Sequence, residues 1–147
     1  MPIPDMNGGI LPRGIHDATM AEVEQRFGIF NGSDVRVRLF ERLTHFVREV
    51  GFWGNADEIL IDGSFVSEKQ RPTDIDIILV YRRDFDLGSE VRPQEYSLVS
   101  KKRAKRVWGF DVIPVIADSQ ERDKWIGYFS RDTRTGIENK GMVRIRP

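Results

Sequence analysis

The chain has 147 residues, two histidines, no cysteine, and 23 basic against 23 acidic residues, for a formal net charge of zero. These values exclude a disulfide framework, thiol chemistry and cysteine-ligated zinc, leave little for a histidine-based metal site or triad, and argue against a generic nucleic-acid coating protein. The length fits one domain able to bury a core; no apolar stretch approaches a membrane span and MPIPDMNGG lacks a signal-peptide design, so a cytoplasmic protein is expected.

Pro2, Pro4, Gly8, Gly9 and Pro12 predict a loop or flexible arm, taken as residues 1–17 ahead of a single domain over 18–147. His16 falls in that loop. Thr19 and Glu22 form a capping-box pattern that starts a short helix, and Gly28 ends it. Ser33 opens the clearest helix, where Val35, Leu39, Leu43, Phe46, Val47 and Val50 make one apolar stripe and Gly51 marks the end. The stripe is core, and His45 within this helix fits a structural or solvent role.

After Asp57 the apolar run EILID predicts a short buried strand, and Gly63-Ser64 a turn that opens a helix. Gly63 allows close backbone approach to a phosphate, while the Ser64 hydroxyl and the N–H groups of the following turn can donate to its oxygens. Asp74-Ile75-Asp76-Ile77-Ile78-Leu79-Val80 predicts a second strand. Strand alternation puts Asp74 and Asp76 on one face, about 7 Å apart. Two such carboxylates repel unless a cation lies between them, and Mg2+ suits hard oxygen ligands completed by substrate phosphates.

Alone, a Gly-Ser pair is usually a turn and an Asp-x-Asp a solvated strand face. Their order and spacing between two apolar strands are what point to a site. Lys69 and Arg71 either meet a triphosphate or decorate a surface loop. Ser67 is a phosphate contact, a polar helix residue or a self-modification target.

DFDLGSE is a polar turn, and Arg92-Pro93 begins a helix through Lys101, Lys102, Arg103, Lys105 and Arg106 to about Trp108. This basic run, with Arg144 and Arg146, suits an RNA backbone, a triphosphate or an acidic partner, or else a solvated helix face. Asp111 to Ile116 predicts a strand in which Pro114 implies an edge position or a distortion. Asp111 is the candidate third carboxylate, or simply faces water. Asp118 and Glu121 cap a last helix carrying Trp125, Ile126 and Phe129, and MVRIR closes the chain as a small strand. The expected class is α/β (α+β): a small mixed sheet flanked by helices.

Gly63-Ser64, the Asp74-x-Asp76 pair and the later strand residue Asp111 resemble the signature of the DNA polymerase beta-type nucleotidyltransferase superfamily. The compact layout is similar to the minimal enzymes of bacterial toxin, antitoxin or defence modules. LPRGIHDATMAEVEQRFG and WIGYFSRDTRTGIENKGMVRI extend the resemblance to a poorly characterised group of small stand-alone nucleotidyltransferase-like proteins. Nine residues stand between Ser64 and Asp74, one fewer than is typical of the antitoxin-type enzymes.

The resemblance implies Mg2+ or Mn2+ held by Asp74, Asp76 and Asp111, with Asp111 also placed to accept a proton. It also implies a nucleoside triphosphate substrate, ATP first among them, gripped by Gly63 and Ser64. The acceptor is a protein hydroxyl or an RNA end, and a cognate toxin, antitoxin or defence partner is implied. The alternative is a non-catalytic module that keeps the fold and pocket and binds a nucleotide or a partner.

Overall fold

Apolar residues that alternate in facing build the centre of the structure. In the computed structural model, residues 3–6, 8–29, 34–85, 98, 100–131 and 140–147 are described. They form strands β1 (Ile15–Asp17), β2 (Ala56–Asp62), β3 (Asp76–Tyr81), β4 (Asp111–Ile116) and β5 (Met142–Ile145), with helices α1 (Met20–Phe27), α2 (Val35–Trp53), α3 (Lys101–Trp108) and α4 (Gln120–Phe129). The sheet is mixed, in the order β1-β5-β2-β3-β4. β1 and β5 run parallel, as do β3 and β4, whereas β2 is antiparallel to both β3 and β5. The protein is thus a small α+β fold, as expected.

Successive side chains on a strand point to opposite faces, and both faces of this sheet are covered. Ile59, Ile61, Ile77, Leu79 and Val112 join the core with α1, α2 and α3. Leu60, Ile78, Val80, Ile113 and Val115 form a second cluster against Trp125, Ile126 and Phe129 of α4. Leu43 and Phe46 of α2 are fully buried, and each such side chain contributes about 1.5–3 kcal/mol relative to exposure.

Several local expectations shift. The Thr19–Glu22 capping box forms as expected. Gly51 lies inside α2, which runs on until Gly54 ends it in the left-handed conformation at φ 76°. Ser119, not Asp118, caps α4 by accepting from the Arg122 N–H. Pro114 does sit on an edge strand, β4. Ser33, DFDLGSE beyond Phe85, and Arg92-Pro93 lie outside the described residues; the described part of the basic helix starts at Lys101, capped by Ser100.

The expected N-terminal arm is packed against the domain. His16 lies in β1, which pairs with β5; Leu11 is buried, and Arg26 donates to the carbonyls of Ile3 and Pro4 at 3.1 and 2.9 Å. Ile3 and Leu11 supply the apolar surface for this packing. The C-terminal MVRIR strand is not peripheral either, since β5 enters between β1 and β2. Arg144 on β5 is engaged rather than free. It pairs with Asp17 and, together with Arg122 of α4, with the buried Glu58 of β2. Among the described residues, no helix is long and apolar enough to cross a membrane.

Candidate functional site

Strand register creates a row of carboxylates at one end of the sheet. Asp62, the last residue of β2, pairs with Asp76, the first residue of β3, and Asp76 pairs in turn with Asp111, the first residue of β4. Directly paired residues share a face, so all three project on the α4 side. Asp74 precedes β3 rather than lying in it.

The Gly63-Ser64 turn is built against this row. Gly63 has φ 89° and ψ −178°, a conformation available essentially to glycine alone. A Cβ there would come within 2.9 Å of both the Asp74 carbonyl oxygen and the Asp76 nitrogen. Close approach is therefore used by the chain itself, bringing β2 against residues 74–76. The expected helix after Gly63 is a single 3₁₀ turn, Ser64–Val66. Its Ser64 N–H donates to the Asp74 carboxylate at 3.1 Å, the Ser64 hydroxyl donates to the same oxygen, and the Phe65 N–H donates to the Asp74 carbonyl at 3.1 Å.

Each carboxylate has a different environment. Burial works to raise Asp74, but the hydrogen bonds from Ser64, aided by Lys140 and Lys69, outweigh it and hold the group below the ordinary carboxylate value. Asp62 is pushed up to about 6 by burial, against the pull of Lys140, whose Nζ lies 3.0 Å from Asp62 Oδ1. That contact is an ion pair without hydrogen-bond alignment, since the same oxygen has no aligned donor. Asp111 is half exposed and 3.7 Å from Lys105 Nζ.

The Asp76 side chain has neither a hydrogen-bond nor an ion-pair partner among the described residues. Burial first, then Asp74, Asp62 and Asp111, push its carboxyl up to about 6, against the smaller pull of Lys140. A carboxylate crowded by like charges among hard oxygen donors fits Mg2+ or Mn2+. As they stand, the carboxylates form a row and not a closed cage, since no three of the described acidic or imidazole groups are gathered as ion ligands.

A pocket of about 860 Å3 opens beside the row. Gly63, Ser64, Lys69, Asp74 and Asp76 line it, as does Ser67; Asp111 and Arg71 do not, although Asp111 adjoins through Asp76. Three contributions escape sequence reasoning. Asp62 joins the acidic wall with Lys140 paired to it, Tyr128, Phe129 and Arg131 add to the lining, and Gly9 and Ile10 reach in from the N-terminal segment. Asp62 adjoins Gly63, which is a signal of sorts, but its pairing with Asp76 depends on register. Nothing local marks Lys140.

The loop between Ser64 and Asp74 hangs on Arg36, which is buried in α2. Its guanidinium donates to the carbonyls of Phe65, Ser67 and Lys69 at 2.7, 2.7 and 2.5 Å, and to that of Phe27 at 3.2 Å. Arg36 falls on the stripe with Leu39, Leu43, Phe46 and Val50, so an arginine at an apolar position was the available signal.

Fold and site together define a small α+β protein whose mixed sheet ends in a carboxylate row beside a pocket. The chain matches the family of unknown function DUF6932 over residues 4–146 and belongs to it. No curated protein and no solved structure matches it.

Proposed function

We propose that this protein is a cytoplasmic, metal-dependent nucleotidyltransferase that moves a nucleoside monophosphate from a nucleoside triphosphate, ATP first, to a protein hydroxyl or an RNA end. The observation that carries the reading is Asp76, a carboxylate crowded between Asp62 and Asp111, with Asp74 and the Gly63-Ser64 turn at the same pocket. Asp74 and Asp76, with Asp111, would hold Mg2+ or Mn2+, which neutralises phosphate charge and favours the attacking alkoxide.

The chain's own groups supply the rest. In the reaction the acceptor oxygen bonds to the α phosphorus as the bond from that phosphorus to the bridging oxygen breaks, and pyrophosphate leaves. Asp111, half exposed at the end of the row, takes the acceptor's proton. Lys69 meets the triphosphate, and Tyr128 and Phe129 offer an aromatic wall for a planar base. The toxin, antitoxin or defence setting rests on resemblance.

A second reading is a nucleotide- or partner-binding module without transfer. It is favoured by the Ser64 N–H and hydroxyl, which already serve Asp74 and so are not offered freely to a phosphate.

The test is transfer of α-labelled nucleoside triphosphates, with Mg2+ or Mn2+, onto protein and RNA of a host lysate. Label on a discrete acceptor with wild type and not with D74N/D76N supports the enzyme and identifies its acceptor class. Nucleotide binding with no label above the double variant moves the assignment to the module.

A further inference from the structure

Beside the acidic row the pocket carries a cation whose side chain and backbone are both held. Lys140 Nζ stands 3.0 Å from Asp62 Oδ1, and both side chains are largely enclosed, at 18% and 5% exposure. The lysine's backbone is pinned on both sides. Its N–H donates to the Ser130 carbonyl at 2.9 Å, and the Gly141 N–H donates to that of Leu11 at 3.0 Å. Gly141 is packed so closely that a Cβ would meet the Pro12 carbonyl oxygen at 1.9 Å. The ammonium thus enters from a fixed backbone position.

An ammonium has three N–H donors, and Asp62 occupies the space of one. Lys140 lines a pocket together with Asp74, Asp76 and the Gly63-Ser64 turn. Departure of Lys140 would leave the buried Asp62 carboxylate uncompensated, which is costly. The lysine therefore stays, and an incoming anion joins it as a second partner.

Resting on the nucleotidyltransferase reading, we propose that Lys140 is the phosphate-binding cation of the pocket and that Asp62 is its positioning residue, not a ligand of the catalytic ion. Of the site's carboxylates, Asp74, Asp76 and Asp111 then serve the metal ion, while Asp62 serves the lysine. Phosphate oxygens would take the remaining donors of Lys140, and a metal ion held by the neighbouring carboxylates would balance the rest of their charge.

The experiment measures binding of inorganic tripolyphosphate without divalent metal, by calorimetry, for wild type, K140M, K140R, D62N and the D62N/K140M pair. Mn2+ binding and thermal unfolding are followed on the same samples. K140M is expected to weaken tripolyphosphate at least tenfold and leave Mn2+ affinity within about threefold, and K140R to recover most of the loss. D62N is expected to weaken tripolyphosphate severalfold in the Lys140 background and to have no further effect on K140M, the signature of a residue acting through another.

Unchanged tripolyphosphate binding in folded K140M overturns the assignment of Lys140. A D62N effect that persists in K140M, or a matching loss of Mn2+ binding, overturns that of Asp62. Both results leave the enzyme reading standing. A wild type that binds neither tripolyphosphate nor any nucleotide with Mg2+ or Mn2+ removes that reading and this inference with it.

Discussion

Ser64 directs both its backbone N–H and its hydroxyl at one carboxylate oxygen of Asp74, while its Oγ accepts from the Thr73 N–H at 3.0 Å. The residue read from sequence as a phosphate donor is, in this structure, the organiser of an acidic neighbour. S64A removes the hydroxyl and leaves Asp74 a single donor from that residue. The expected loss is about 1 kcal/mol, the net worth of one such bond. Because Asp74 is held below its ordinary value, its contribution is present above the unfolded carboxylate pKa and fades as pH falls through the lower folded one. The gap between wild type and S64A should therefore be widest above the ordinary carboxylate range and close as pH falls below it. Urea unfolding across that range measures it.

Asp76 carries the opposite sign. Its folded pKa, about 6, lies above the unfolded value, so between roughly pH 4 and 6 the native state holds more protons than the unfolded chain and stability falls as pH rises. D76N should flatten that slope and be the more stable protein at pH 7, by on the order of 1 kcal/mol after allowance for solvent screening at this half-buried group. Denaturant titrations of both proteins at pH 4.5 and 7 give the comparison, and equal slopes would remove the argument.

The same group predicts a pH-dependent response to metal. A divalent cation and a proton compete for Asp76, so Mn2+ should raise the unfolding temperature of wild type more at pH 7.5 than at pH 5.5. D74N/D76N should show little shift at either pH. A shift of equal size in the double variant would place the bound ion elsewhere.

What the sequence revealed follows from the range of each signal. The Thr19 and Glu22 box, the α2 stripe and the edge position of Pro114 are local patterns, and the structure follows them. The Asp62–Asp76–Asp111 row needs the strand order and register, which bring together residues far apart in the chain. Gly63 was visible, yet its reason lies in the backbone of Asp74 and Asp76, which packs where a Cβ would stand. Arg36 was legible in principle as a charge on an apolar stripe; Lys140, whose partner is Asp62 at the end of the distant strand β2, was not.

Gly63→Ala tests that reason directly. The new Cβ would meet two backbone atoms at 2.9 Å, at a φ of 89° that side chains rarely adopt. Neither obstacle is a flexible side chain that can yield, so strain and displacement add to roughly 3 kcal/mol or more. Urea unfolding should show that loss, with weaker Mn2+ binding because the end of β2 is pushed off residues 74–76. A loss below about 1 kcal/mol would mean that the turn relaxes freely.

Arg36 predicts a defect that begins in one loop. Its guanidinium reaches the carbonyls of Phe27, Phe65, Ser67 and Lys69 and lies over the Phe65 ring, 5.6 Å from its centroid. R36M keeps much of the aliphatic volume but leaves those carbonyls without their donor, and the Phe27 and Phe65 residues concerned are buried. Orphaned buried acceptors cost roughly 1–3 kcal/mol each, less where water can replace the donor; a total near 3 kcal/mol is expected. That is a large share of a typical stability of roughly 5–15 kcal/mol, yet leaves a folded protein. R36K should recover little, because an ammonium cannot match a planar fork that serves carbonyls on two segments. Amide exchange should quicken over 64–69 well before it changes in α2 or β3, and nucleotide affinity should fall with it. Uniform acceleration across the whole domain would show that Arg36 supports the core at large and does not specifically clamp the loop that carries Ser64 and Lys69.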